Sequence, residues 1–168
     1  MPLFEPILQA LNRALVRYVV VGGVAVVLHG HIRSTVDLDL IIDLSPDEAR
    51  SAIDVLVELG LRPSVPVDAM DFADPVVRGR WIEEKGMLVF SLRDPNDAFR
   101  HVDVFTRSPI DFEELWSRSD VVQLSGLAVR VASIPDLISL KRAAGRAQDL
   151  ADIEKLEIIL RERRNQDE

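Results

Sequence analysis

Three aspartates stand in one apolar run, VDLDLIID at 36–43, and no other stretch restricts the fold as much. Val, Leu and Ile at this density read as a strand, in which successive side chains alternate faces. Asp37 and Asp39 then share one face, roughly 7 Å apart, while Leu38 and Leu40 share the other. An amphipathic strand with one wet face explains such a pattern without any chemistry. A calcium loop explains it poorly. Counted from Asp37, Ile41 stands where an oxygen donor is needed and Ile42 where the sharp turn needs glycine. A catalytic metal site is the remaining reading, and it requires partners elsewhere in the chain.

Two further segments supply such partners. YVVVG at 18–22 reads as a buried strand, Gly22 and Gly23 break it, and GVAVVLHG continues as a short helix to Gly30. Backbone amides at that glycine turn can approach an anion. A short helix returns the chain to a neighbouring strand, so a phosphate on the turn would lie near Asp37 and Asp39. Like charges repel; a magnesium ion between phosphate and carboxylates removes the difficulty. HVDVFT at 101–106 repeats the design, with Asp103 flanked by Val102 and Val104. Alone, Asp103 is a solvent-facing strand residue. Together, three carboxylates on adjacent strands are what two magnesium ions need for in-line displacement at phosphorus. The candidate catalytic and metal-binding residues are therefore Asp37, Asp39 and Asp103, expected to converge on one edge of a mixed sheet. The candidate nucleotide-binding residues here are Gly22, Gly23 and Ser34. Ser34 and Arg33 lie on the approach to the acidic strand, where a plain surface turn explains them equally well.

At 168 residues the chain suits one domain with its own core. The absence of cysteine removes disulfides, thiolate zinc sites and thiol catalysis together. His29, His31 and His101 are ill-spaced for a zinc cluster, and His29 reads as a helix-end residue. A net charge of -8 argues against a broad phosphate-neutralising surface for nucleic acid. No apolar run is long enough to cross a bilayer and the N-terminus reads as an amphipathic helix, so the expectation is a cytoplasmic protein with no membrane partner.

Elsewhere, Ser45 and Pro46 start a helix that runs to about Gly60. The segment from Arg62 to Asp74 has two prolines and no periodicity, and is expected to be a long loop, either a lid or a packed excursion. A helix over 75–85 places Arg80 and Trp81 as a cation and ring near a base, or Trp81 as half-buried packing. Strands follow at 87–93 and 101–106, a short helix at 111–116, and a hairpin turning at Ser125 and Gly126. The last helices are expected over Pro135–Ala144 and Asp149–Arg164, jointed at Gly145, with a frayed RERRNQDE tail. The expected organisation is a core over 1–133 and C-terminal helices over 134–164 packed on it as one compact unit.

The pattern VVGGVAVVLHG followed by TVDLDLII and later HVDVF resembles the nucleotidyltransferase superfamily, whose minimal fold is shared with DNA polymerase beta. The resemblance rests on Gly22, Gly23, Asp37 and Asp39, with Asp103 as the third carboxylate. It implies an α/β fold with a mixed sheet flanked by helices, and a Mg2+-dependent transfer of NMP from an NTP, ATP among them, to a hydroxyl. SIPDLISLKRAAGRAQDLADIEKL, at 133–156, resembles the helical segment of AbiEii/AbiGii-type toxins and related small bacterial nucleotidyltransferase-like proteins. That narrower resemblance implies that Lys141 reaches the nucleotide phosphates and that Arg146, Asp149 and Asp152 build or brace the pocket. It also admits a toxin-antitoxin role with an antitoxin protein as partner. Lys141 and Arg142 as solvated residues, and Asp149 as the cap of the last helix, are the structural alternatives. The acceptor, whether RNA, protein or small molecule, is not written in these motifs. The competing function is an interaction module that keeps the fold and nucleotide binding without turnover.

Overall fold

In the structure, a computed structural model describing residues 2–166, helical spacing buries Ile7, Leu8 and Leu11 along α1 (Glu5–Arg13). The fully buried strand β1 (Tyr18–Val21) runs straight into α2 (Gly22–Leu28), and the acidic run forms β2 (Asp37–Ile42). Alternation is as expected: Leu38 and Leu40 are buried, whereas Asp37 and Asp39 are half-buried on the opposite face. The chain continues through α3 (Pro46–Glu58), β3 (Arg62–Pro63), α4 (Pro75–Lys85), β4 (Val89–Asp94) and β5 (Asp97–Phe105). It ends with α5 (Phe112–Arg118), the hairpin β6 (Asp120–Leu124) and β7 (Leu127–Val131), then α6 (Ile134–Ala144) and α7 (Ala147–Gln166).

The strands form one mixed seven-stranded sheet in the order β3-β4-β5-β2-β1-β7-β6. β2 pairs in parallel with β5 and β1 with β7, and the other pairs are antiparallel. This is the α/β architecture expected from the sequence. One detail differs: the aspartates lie on inner strands, not at an edge. β4, the hairpin partner of β5, lies outside it, and β5 turns its other side to β2.

The segment 62–74 is a packed excursion, not a lid. Arg62 and Pro63 pair with Arg93 and Leu92, and a short 3-10 turn, Ala69–Ala73, is capped by Asp68, which accepts from the Met70 amide at 2.8 Å. The turn delivers Phe72 into the core, its ring 5.2 Å from that of Phe90. Trp81 stacks on Phe90 from α4 at 5.4 Å and is buried, so it is a core residue with no face left for a base. The C-terminal helices meet where the helix α6 ends at Gly145, in the left-handed region at φ 66°. α7 stays helical through Gln166, so the fraying expected of Arg161–Gln166 is not found. The rest of that tail, Asp167 and Glu168, lies outside the described residues. Among the described residues no helix is long and apolar enough to cross a membrane.

Because the Phe72 ring is fully buried against Phe90, Phe72→Ala is expected to destabilise the protein by about 3–5 kcal/mol in urea unfolding. A loss below about 1 kcal/mol would mean that the segment is a free lid.

Candidate active site

The site begins with a close approach that only glycine permits. Val21 is in register with Asp39, so the following residue turns directly against the Asp39 carboxylate. A Cβ at Gly22 would lie 2.0 Å from Asp39 Oδ2, and Gly22 has φ +66°. A Cβ at Gly23 would lie 2.6 Å from Thr35 Oγ1 and 3.1 Å from Arg33 Nη2. The glycines open α2, and their amides belong to the first turn, whose N–H groups have no partner within the helix.

Across the parallel pair, Asp37 is in register with His101 and Asp39 with Asp103. Residues opposite one another point to the same face, so these four side chains form a square on the face opposite Leu38 and Val102. His101 Nδ1 lies 2.8 Å from Asp37 Oδ1, and the Ser91 hydroxyl donates to Asp103 Oδ1 at 2.5 Å. Burial pushes the Asp39 carboxyl up to about 7, and the neighbouring charges of Asp103 and Asp37 add to it; Lys141 and Arg146 oppose it only in part.

Asp37, Asp39 and Asp103 line one cavity of about 330 Å³ with Gly22, Gly23, Ser34 and Lys141. Each candidate catalytic, metal-binding and nucleotide-binding residue expected from the sequence thus borders the same space, as does Asp149, whereas Asp152 does not line it. Arg33, Thr35, Arg146 and Gln148 border it too.

Lys141 is not solvated. It is buried, 2.7 Å from Asp152 Oδ2 and 3.5 Å from Asp149 Oδ1. Asp152 also accepts from Arg33 Nη1 at 2.5 Å and Gln148 Nε2 at 3.2 Å. Burial would raise the Asp152 carboxyl, but its bonds to Lys141 and Gln148 and the charge of Arg33 outweigh this and hold it below the usual range. Asp149 accepts from the backbone amide and the Nε of Arg146. Placed at the third position of α7, it reaches back to the residue before the helix, as the acid of a capping box does. Arg142, by contrast, is exposed and pairs loosely with Glu157. His29 ends α2 as expected, its Nε2 2.8 Å from the Ala132 carbonyl and its pKa lowered by burial.

His101 was not among the expected site residues. The signal was present, since His101 precedes Asp103 by two positions and must share its face in a strand. Asp152 collects charge from Arg33 across 119 residues, a pairing that no local pattern announces.

The chemistry of this donor set fits a divalent cation. Three half-buried carboxylates face one cavity, one of them raised by burial and by the charge of the other two. As the side chains stand, no ready-made cage of three His, Asp or Glu residues occurs among the described residues. Asp37 is instead turned toward His101.

The family model "Nucleotidyltransferase of unknown function (DUF6036)" matches residues 1–162. No curated protein matches the chain. Among solved structures, the lincosamide antibiotic adenylyltransferase LnuA with lincomycin bound is 16% identical over 94% of this chain and 96% of its own, with a TM-score of 0.64. ANT(2'')-Ia in complex with adenylyl-2''-tobramycin is 15% identical over 99% and 98%, with a TM-score of 0.58. An antigenic nucleotidyltransferase-like protein from Paracoccidioides brasiliensis is 17% identical over 92% and 73%, also at 0.58. At these identities the structural likeness establishes the fold. The superfamily expected from the sequence is borne out; the narrower AbiEii/AbiGii-type likeness is not supported by these comparisons.

The raised Asp39 pKa makes stability depend on pH. The folded value, about 7, lies above the ordinary 3.8, so the contribution of Asp39 is fully present below about pH 4 and is lost as pH rises through 7. Asp39→Asn, neutral at every pH, is expected to gain on wild type between about pH 4 and pH 8, by at most about 4 kcal/mol at 1.36 kcal/mol per unit. Urea unfolding of both proteins in chelator measures this. A difference that does not change with pH would contradict the carboxylate crowding.

Proposed function

The chain belongs to the DUF6036 family of nucleotidyltransferases, and on that premise we propose that it transfers a nucleoside monophosphate from a nucleoside triphosphate to a hydroxyl of a small-molecule acceptor. The observation carrying this reading is the meeting of Asp37, Asp39 and Asp103 with the glycine turn and Lys141 around one cavity. Asp37, Asp39 and Asp103 would hold divalent metal, Mg2+ in a two-ion arrangement, which when bound supplies neutralisation of triphosphate charge and activation of the attacking hydroxyl.

The remaining work falls to the chain's own groups. Gly22 and Gly23 leave backbone amides open to phosphate oxygens where any side chain would collide with Asp39, Thr35 or Arg33. Ser34, exposed at the cavity wall, offers a hydroxyl donor to the same oxygens. Lys141, held between Asp149 and Asp152, acts through its position in the wall, and Arg146 adds a second, more exposed cation. Asp103, steadied by Ser91, takes the acceptor's proton as its oxygen bonds to the α-phosphorus and pyrophosphate leaves.

A small-molecule acceptor is supported by two of the solved relatives, one bound to lincomycin and one to adenylyl-2''-tobramycin. The net charge of -8 weighs against an RNA acceptor. A second reading, the interaction module without turnover, has one observation in its favour: His101 stands between Asp37 and Asp103. As a toxin-antitoxin component, such a module would act through an antitoxin protein.

Labelled nucleoside triphosphates, Mg2+ and panels of hydroxylated small molecules, RNA and proteins test the proposal. Labelling of a small molecule with release of pyrophosphate is expected. Asp103→Asn should leave nucleotide affinity within a few-fold and cut transfer by about 10²–10³ or more, on the scale of losing one transition-state group. Wild type that transfers to no acceptor class, with a biological effect that survives Asp103→Asn, would favour the module.

A further inference from the structure

Arg33 has no part in the reaction set out above, yet its guanidinium is clamped in the cavity wall. Nε donates to the Ser34 carbonyl at 3.1 Å and Nη1 to Asp152 Oδ2 at 2.5 Å. Asp152 is itself fully buried and held by Lys141 and Gln148. Two of the three nitrogens are thus anchored, and a planar guanidinium held at two corners has its third direction set. That third nitrogen, Nη2, has no hydrogen-bond acceptor among the described residues. It lies against the glycine turn, 3.1 Å from where a Cβ on Gly23 would stand, and Arg33 lines the cavity.

Bracing the loop before β2 accounts for the two anchored nitrogens. It does not account for the third. Nor is the charge cancelled: Arg33, Lys141 and Arg146 share two carboxylates, Asp149 and Asp152, which leaves this wall one positive charge in excess. A loose guanidinium bordering the same cavity as Asp37, Asp39 and Asp103 would pair with them. Asp152 and the Ser34 carbonyl keep it away.

The order of the strands decides which part of a triphosphate meets Nη2. Asp103, Asp39 and Val21 stand in one register across β5, β2 and β1, and Gly22 and Gly23 follow Val21. In an in-line displacement the attacking and leaving oxygens lie on opposite sides of phosphorus. With the acceptor hydroxyl at Asp103, the leaving group points toward the glycine turn. The acceptor oxygen bonds to the α-phosphorus and its proton passes to Asp103. The bond to the bridging oxygen breaks, and pyrophosphate takes the electron pair. We propose that Arg33, through Nη2, is a catalytic residue that binds the pyrophosphate portion of the triphosphate and neutralises the charge it gains on leaving. A donor already fixed by the protein needs no reorganisation as that charge develops. This inference rests on the nucleotidyl-transfer reading of the same cavity.

The test is the affinity of the full chain for ATP, pyrophosphate and AMP in Mg2+, wild type against Arg33→Lys and Arg33→Gln, with circular dichroism to check folding. Lysine keeps the charge and loses the fork, whereas glutamine keeps a donor for Asp152 and loses the charge. Either variant should bind ATP and pyrophosphate about tenfold or more weakly and AMP within about twofold of wild type. Equal losses for ATP and AMP, the result a loop brace alone would give, overturn the inference. Unchanged affinity for ATP and pyrophosphate overturns it too. If neither variant folds, a crystal structure of wild type with a non-hydrolysable ATP analogue and Mg2+ decides the case. A β- or γ-phosphate oxygen within about 3 Å of Arg33 Nη2 supports the inference, and its absence overturns it. Wild type that binds neither ATP nor pyrophosphate overturns both the inference and the reading beneath it.

Discussion

The mutual repulsion of Asp37, Asp39 and Asp103 on one face of β2 and β5 is the constraint around which the rest of the molecule is arranged. Like charges on neighbouring strands are unfavourable, and burial makes them more so. Asp39 shows the cost directly, its carboxyl raised to about 7 by burial and by the other two. Such a cluster persists only where the opposite face of the same strands is strongly stabilising. Here Leu38, Leu40, Val102 and Val104 are fully buried in register beneath it, and Phe90 stacks between Phe72 and Trp81 on the next strand. The tension is local and the core that carries it is broad.

The C-terminal helices answer this charge with one of the opposite sign. Lys141 and Arg146 lower the Asp39 pKa through space, yet neither is spent on it. Asp149 and Asp152 hold them, and Asp152 binds Arg33 on the segment leading into β2. The network ties α6 and α7 to the glycine turn's far side and leaves a cavity with an acidic wall and a basic wall. Buried ion pairs of this kind are weak evidence of stability. Their consequence here is position: the basic wall borders the space that the glycine amides also border.

Much of this was legible in the sequence because it obeys short periods. Alternation placed Asp37, Asp39 and Asp103 on a face, Gly22 and Gly23 marked the turn, and both fell where expected. What was not legible depends on distant partners. Strand order decides that Asp103 meets Asp39 in mid-sheet and not at an edge, and no local pattern encodes it. The segment 62–74 has no period because it is anchored at separate points, by the pairing of Arg62 and Pro63 with β4 and by the buried ring of Phe72. For Lys141 the sequence left a phosphate-facing and a solvated placement both open, and the contact with Asp152 that buries it comes from a distant part of the chain. His101 was readable in principle, since it shares the parity of Asp103, but a histidine in a strand has no pattern of its own until its neighbours across the sheet are known.

The repulsion among Asp37, Asp39 and Asp103 is what the proposed divalent ion would relieve, and proton release on metal binding tests this most directly. A carboxyl with a pKa near 7 must give up its proton when an ion binds beside it. Calorimetry of Mg2+ or Mn2+ binding in buffers of different ionisation enthalpy counts those protons. The expected result is close to one proton per bound site at about pH 6, about half near pH 7, and almost none above about pH 8.5. Binding that releases no proton anywhere in this range would contradict the account.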